Sequence, residues 1–130
     1  MLSELTPMAT LATADLERSR KFYEGMLGLS EMPESANADM PGGVAYKCGD
    51  GAIFVYESQY AGTNKATAVT FMATDAQFDK EVDRLRHKGM NFMTFEFEGM
   101  EWDGDIATME DMRSVWFADP DGNILNIGTM

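Results

Sequence analysis

The stretch Leu11-Ala12-Thr13-Ala14-Asp15-Leu16-Glu17-Arg18-Ser19 decides the fold, because its pattern changes in mid-course. Met8 to Thr13 reads as a short strand. From Asp15 onward Leu16, Ser19, Phe22, Tyr23, Met26 and Leu27 recur at helical spacing, with Asp15 as N-cap and Gly28 as the stop. A strand therefore runs directly into a helix.

The same pattern returns in the second half. Ala68 to Thr74 alternates as a strand, Asp75 caps, Phe78, Val82 and Leu85 form a helical stripe, and Gly89 ends it. After the first helix, residues 29 to 33 are expected as a strand and Pro33 to Gly43 as a loop. The strands Val44 to Gly49 and Ala52 to Ser58 then flank the turn Gly49-Asp50-Gly51. After the second helix, Met90 to Phe97 is expected as a strand and residues 98 to 112 as a long loop. Ser114 to Ala118 and Asn123 to Gly128 complete the series as strands around Asp119-Pro120-Asp121-Gly122. The order is βαβββ, twice.

Two turns echo each other as well, Asp50-Gly51-Ala52-Ile53 and Asp121-Gly122-Asn123-Ile124. A duplicated unit of about 60 to 70 residues accounts for these matches. One helix cannot cover a sheet alone, so the two units are expected to pair into one curved mixed sheet with a cavity on its concave face. The expectation is an α+β protein of one domain over residues 1–130, with module one at about 7–60 and module two at about 66–130.

The chain has 10 basic and 22 acidic residues, a net charge of −12, so nucleic-acid phosphates and anionic membrane surfaces are disfavoured partners. The sole cysteine, Cys48, lies in an alternating strand and cannot form an internal disulfide, which suits a reducing, cytoplasmic setting. No apolar run is long enough for a membrane helix, and Met1-Leu2-Ser3-Glu4 has no leader character. His87 is the only histidine, which removes any scheme needing two within one chain. At the end of the second helix it is expected to face solvent and favour the helix dipole.

Leu11 to Ser19, followed by Phe22-Tyr23 and Leu27-Gly28-Leu29, resembles the first-module signature of the vicinal oxygen chelate superfamily, which includes glyoxalase I, bleomycin resistance proteins and extradiol dioxygenases. Trp116-Phe117-Ala118-Asp119-Pro120-Asp121-Gly122-Asn123-Ile124-Leu125 resembles its closing hairpin. The likeness spans residues 8 to 128 and implies the glyoxalase/bleomycin resistance fold, commonly a homodimer. Enzymatic members hold a metal through His and Glu on the first and last strands of each module. The matching positions here are Met8, Val55 or Glu57, Ala68 and Asn126. Thioether, alkyl and amide groups replace most of that donor set, so neither metal nor other cofactor is expected.

Period-two alternation then places Thr10, Ala12, Ile53, Thr70, Met72 and Ile124 on the cavity side with those four positions. Leu11, Phe54, Tyr56, Val69, Phe71, Leu125 and Ile127 are left to pack under the helices. Twelve methionines are many for 130 residues, and they fit either core gaps or an adaptable pocket wall. Trp102 sits in an acidic stretch, where it could cap a flat ligand or plug a dimer interface. From Glu96 to Asp111 there are seven acids and no Lys or Arg, either a solvated loop or a rim that attracts a cationic ligand.

The leading expectation is a metal-free binding protein, similar to the bleomycin resistance branch, that sequesters a hydrophobic, aromatic or cationic small molecule such as an antibiotic. No catalytic residue is assigned. Its ligand contacts are expected at Met8, Thr10, Ile53, Val55, Glu57, Ala68, Thr70, Met72, Trp102 and Asn126. The alternative is a glyoxalase-like lyase, isomerase or dioxygenase with metal ligands at shifted positions, or with Glu57 as general base.

Overall fold

The computed structural model describes residues 1–33 and 42–129, in two compact units. The first comprises Met1–Asn64 with Pro120–Asn123, and the second Lys65–Asp119 with Ile124–Met130.

In the first unit a short 3-10 turn, Leu2–Glu4, precedes strand β1 (Ala9–Thr13). The Asp15 side chain accepts the Arg18 N–H and caps helix α1 (Leu16–Arg20), which widens into a π-helical stretch at Lys21–Met26. Gly28 ends it at φ 76, a left-handed conformation that suits glycine. Strands β2 (Gly43–Cys48) and β3 (Gly51–Glu57) complete a three-stranded sheet, order β1-β3-β2, with β1 parallel to β3. Between residues 29 and 33 there is no strand, only a bridge from Glu31 to Tyr46. Most of the loop expected from Pro33 to Gly43 lies outside the described residues.

The register corrects the expected faces of β3. Leu11 stands beside Val55, while Thr10 stands beside Phe54. Ile53 and Val55, with Val44 and Tyr46 as partners on β2, are fully buried, so they belong to the unit's core and not to the Thr10 and Ala12 face. Phe54 and Tyr56 take that other face instead, stacked at 6.0 Å between ring centroids. Tyr46 also stacks on Tyr23 at 5.8 Å and donates its hydroxyl hydrogen to Glu24 Oε2 at 2.8 Å. Burial first, and the Glu24 hydrogen bond second, hold the phenol protonated well above its ordinary range.

In the second unit strand β4 (Thr67–Ala73) leads into helix α2 (Asp75–His87). The cap is Thr74, not Asp75. Its Oγ1 accepts the Gln77 N–H, and Gln77 Oε1 accepts the Thr74 N–H, closing a reciprocal box that Asp75 in that place could not form with Gln77. Phe78, Val82 and Leu85 bury one face of α2, at roughly 1.5 to 3 kcal/mol for each large apolar side chain. Val115, Phe117, Leu125 and Ile127 are the buried sheet residues.

Strands form where Ser114 to Ala118 and Asn123 to Gly128 are expected to, but the chain between α2 and Ser114 departs from expectation. Met90 to Phe97 contributes a single bridge, Met93 to Trp116, on the edge of β7 beyond the reach of β6. The expected long loop over 98 to 112 is instead a meander, β5 (Glu101–Asp103) and β6 (Ile106–Met109), running into β7 (Met112–Ala118) through two-residue turns. Gly104 at φ 64 and Glu110 at φ 56 supply the left-handed conformations such turns need. With β8 (Ile124–Thr129) the order is β4-β8-β7-β6-β5, and β4 runs parallel to β8.

Candidate functional site

The register of the five-stranded sheet builds a bowl on the face away from α2. Its middle row reads Trp102, Ala107, Ser114, Gly128 and Met72, each opposite the next across β5, β6, β7, β8 and β4. Ala107, Ser114 and Gly128 are small, so the centre of the row is low, while Trp102 and Met72 stand at its ends. The next row holds Trp116, Asn126 and Thr70. Met109 and Met112 pair on the opposite side. The hollow has a volume of about 230 Å³, and Met100, Met109 and Met112 are among its lining residues. Period-two alternation keeps these residues on one face and leaves Val115, Phe117, Leu125 and Ile127 on the helix side.

Asn126 is the best-defined polar group in the bowl. It is only 6% exposed, and its Nδ2 donates to the Val115 carbonyl at 3.0 Å and the Ile127 carbonyl at 3.4 Å. Those bonds fix the amide orientation. Among the described residues no donor reaches Oδ1, which lies 3.5 Å from the point where a Cβ on Gly128 would stand, so the oxygen points along the hollow face. Thr129 Oγ1 is engaged by the Arg113 N–H at 2.9 Å, while Thr70 and Ser114 add hydroxyls to the wall.

Trp102 is not a free flap. Its ring meets Phe95 edge-on at 5.5 Å and lies 6.0 Å from Trp116, and Phe95 meets Trp116 at 4.8 Å. This aromatic wall also borders a groove of about 560 Å³ lined by Phe95, Glu96, Phe97, Met100 and Trp102. Sequence reasoning missed that Met100, Met109, Met112, Ser114 and Trp116 share the bowl. The signal was present in Asp103-Gly104-Asp105 and Glu110-Asp111, two short turn candidates that split the supposed loop into hairpins.

The other expected contacts are scattered. Met8 lies just before β1 at 46% exposure, and Thr10 is exposed on β1. Ile53 and Val55 are core, and Glu57 is exposed at the end of β3. All five belong to the first unit and line neither cavity described above. Ala68 sits at a bulge between Thr67 and Val69 that breaks the alternation, so it does not join Thr70 and Met72. Of the expected contacts, Thr70, Met72 and Asn126 line the bowl, and Trp102 stands at the end of its central row.

The residues at the family's metal positions do not fit a divalent ion. Met8 offers a thioether, Val55 a buried alkyl group, or at the alternative position Glu57 a single exposed carboxylate, Ala68 a methyl group, and Asn126 one neutral oxygen. Among the described residues no three His, Cys, Asp or Glu side chains group as a metal site.

A three-stranded unit and a five-stranded unit, each with a helix after its first strand and with its first and last strands parallel, make an α+β fold, and the five-stranded unit bears a lined hollow. The chain belongs to the Glyoxalase/Bleomycin resistance protein/Dioxygenase superfamily, whose sequence profile matches residues 6–127. No curated protein matches it. Solved structures with the same fold include a glyoxalase family protein from Bacillus anthracis, at 20% identity and a TM-score of 0.69, covering 96% of this chain and 93% of that one. Another is the fosfomycin resistance protein FosX from Mesorhizobium loti, at 21% identity and a TM-score of 0.66, covering 100% and 94%. A third is lactoylglutathione lyase from Agrobacterium tumefaciens, at 20% identity and a TM-score of 0.68, covering 96% and 92%. No helix among the described residues is long and apolar enough to cross a membrane.

Proposed function

We propose that the protein is a small-molecule binding protein that captures a planar, largely apolar ligand, neutral or cationic, in the hollow of its five-stranded sheet. The observation that carries this reading is the bowl itself. Its floor is small, its walls are methionine and tryptophan, and among the described residues none that lines it is charged and no donor reaches the amide oxygen of Asn126. Such a lining suits recognition by apolar burial with a few orienting polar groups. Apolar area contributes about 25 cal/mol per Å² before ordering costs, and indole faces add attraction for a cation.

The acidic stretch supports the cationic preference. Glu96, Glu98, Glu101, Asp103, Glu110 and Asp111 are exposed around the lining segments, whereas Arg113 is held by Asp75 and Asp79, and Arg86 by Asp105. Sequestration as a homodimer in the cytoplasm, in the manner of a resistance protein, is the physiological form of this proposal. Glu57 as general base draws no support from the first unit, where its carboxylate is exposed at a strand end.

Both tryptophans border the candidate site, so their fluorescence reports on it. Titration with acridine and proflavine is expected to give saturable quenching at one ligand per chain, unchanged by a chelator and without turnover. Absence of saturable quenching, or turnover that depends on stoichiometric nickel, zinc, manganese or iron, overturns the proposal.

A further inference from the structure

Ten of the twelve methionines lie among the described residues, and none of these ten is in the buried core. Three lie in the lining of the bowl, two of them as a cross-strand pair. Glu110-Asp111 is the turn between β6 and β7, and the pair that closes it is Met109 and Met112. The β5 to β6 ladder ends at the pair Glu101 and Thr108, and Met100 and Met109 are the residues that flank that end. All three side chains line the same hollow. Adjacent strands are about 4.8 Å apart, and the unbranched methionine side chain has enough rotatable bonds for three neighbouring sulfurs to converge on one atom.

We propose that Met100, Met109 and Met112 form a three-thioether site for a soft monovalent cation, copper(I) or its analogue silver(I). Thioether sulfur is a soft, neutral donor that selects copper(I) over magnesium, calcium or manganese, which prefer oxygen. Neutral donors leave the ion's charge uncompensated at the site. Glu101, Glu110 and Asp111, each next to a ligand residue in sequence, are exposed and supply negative potential at that edge. Glu110 is held at a positive φ that non-glycine residues rarely adopt, and the hairpin thereby fixes the Met109 and Met112 pair. The ion enters and leaves as the monovalent species, so binding involves no electron transfer. The three methionines also belong to the wall of the hollow proposed to take the small molecule, so the ion is tested on protein free of that ligand.

The test uses the full chain with Cys48→Ala, which removes the sole thiol, and methionine labelled with carbon-13 at the methyl group. Silver(I) is expected to bind as one equivalent and to move the methyl resonances of Met100, Met109 and Met112 while leaving Met26 and Met32 in place. Zinc(II) is expected to move none of the three. In competition with bicinchoninate for copper(I), the triple variant M100L/M109L/M112L is expected to lose affinity by about 100-fold or more, with its circular dichroism unchanged. Silver shifts spread evenly over all methionines, or undiminished copper(I) affinity in the triple variant, overturn the proposal. Should the variant misfold, the resonance pattern of the unsubstituted methionines decides alone. Acridine binding in the metal-free protein is read separately, so failure of one site is distinguishable from failure of the other.

Discussion

The Asp121 carboxylate accepts the backbone N–H of Ala14 at 2.8 Å, although 107 positions separate them in sequence. The same carboxylate takes Arg18 Nη2 at 2.7 Å and Ser19 Oγ at 3.3 Å, and Asn123 Nδ2 donates to the Ala12 carbonyl at 3.0 Å. The closing turn Pro120–Asn123 thus ties down the junction where β1 passes into α1. Burial works to raise the Asp121 pKa, but bonds from Thr13 and Ala14, the Arg18 charge and the Ser19 hydroxyl outweigh it and hold the carboxyl below its ordinary value.

Asp121→Asn is therefore expected to destabilise the protein by on the order of 2 kcal/mol, read as a lower urea midpoint, because a charge-assisted set becomes a neutral one. The sign of the pH effect follows from the lowered value. The carboxylate's stabilisation is present above the unfolded-state pKa of about 3.9 and is lost as pH falls through the folded one. The wild type should lose stability steeply below about pH 4, and the variant less so. Equal acid limbs in the two proteins would exclude this account.

Gly128 lies on the floor of the bowl at ordinary backbone angles, and a Cβ there would stand 3.3 Å from Ser114 Oγ. A hydroxyl can rotate away, so Gly128→Ala should change stability by less than about 1 kcal/mol. Gly128→Val fills the hollow. Acridine affinity should fall by at least about tenfold, measured by tryptophan quenching; unchanged affinity places the ligand elsewhere.

Trp102→Ala removes one end of the bowl's central row and its contacts with Phe95 and Trp116. Binding should weaken by more than about tenfold through lost apolar area and ring contact. Far-ultraviolet circular dichroism should persist, since β5 is a short edge strand.

Asn126→Ala separates ligands by chemistry. Proflavine carries N–H donors that Oδ1 can accept, and acridine carries none. Proflavine should lose about 1 to 3 kcal/mol of affinity and acridine far less. Equal losses would mean the substitution disturbs the fold, since Nδ2 also satisfies the Val115 and Ile127 carbonyls.

Much of the framework was legible in local chemistry. Asp15, Gly28 and Gly89 mark helix ends, the Phe78, Val82 and Leu85 stripe faces the core, and the alternation of β4 and β8 puts Thr70, Met72 and Asn126 on the side opposite Phe71 and Ile127. The methionines were ambiguous, because thioether length and apolarity suit a core and a pocket equally. The structure places the described ones outside the core.

By itself the sequence indicated a strand-into-helix unit repeated twice and placed the helix caps within a residue. These depend on local periodicity and on the chemistry of single side chains. Which face β3 presents, that residues 98 to 112 form a meander, and that Met100, Met109 and Met112 share an edge with Trp116 and Asn126 nearby were settled only by tertiary structure. Strand register is a property of pairs. A shift of one residue exchanges the faces of a whole strand, and nothing within the strand itself records which partner it meets.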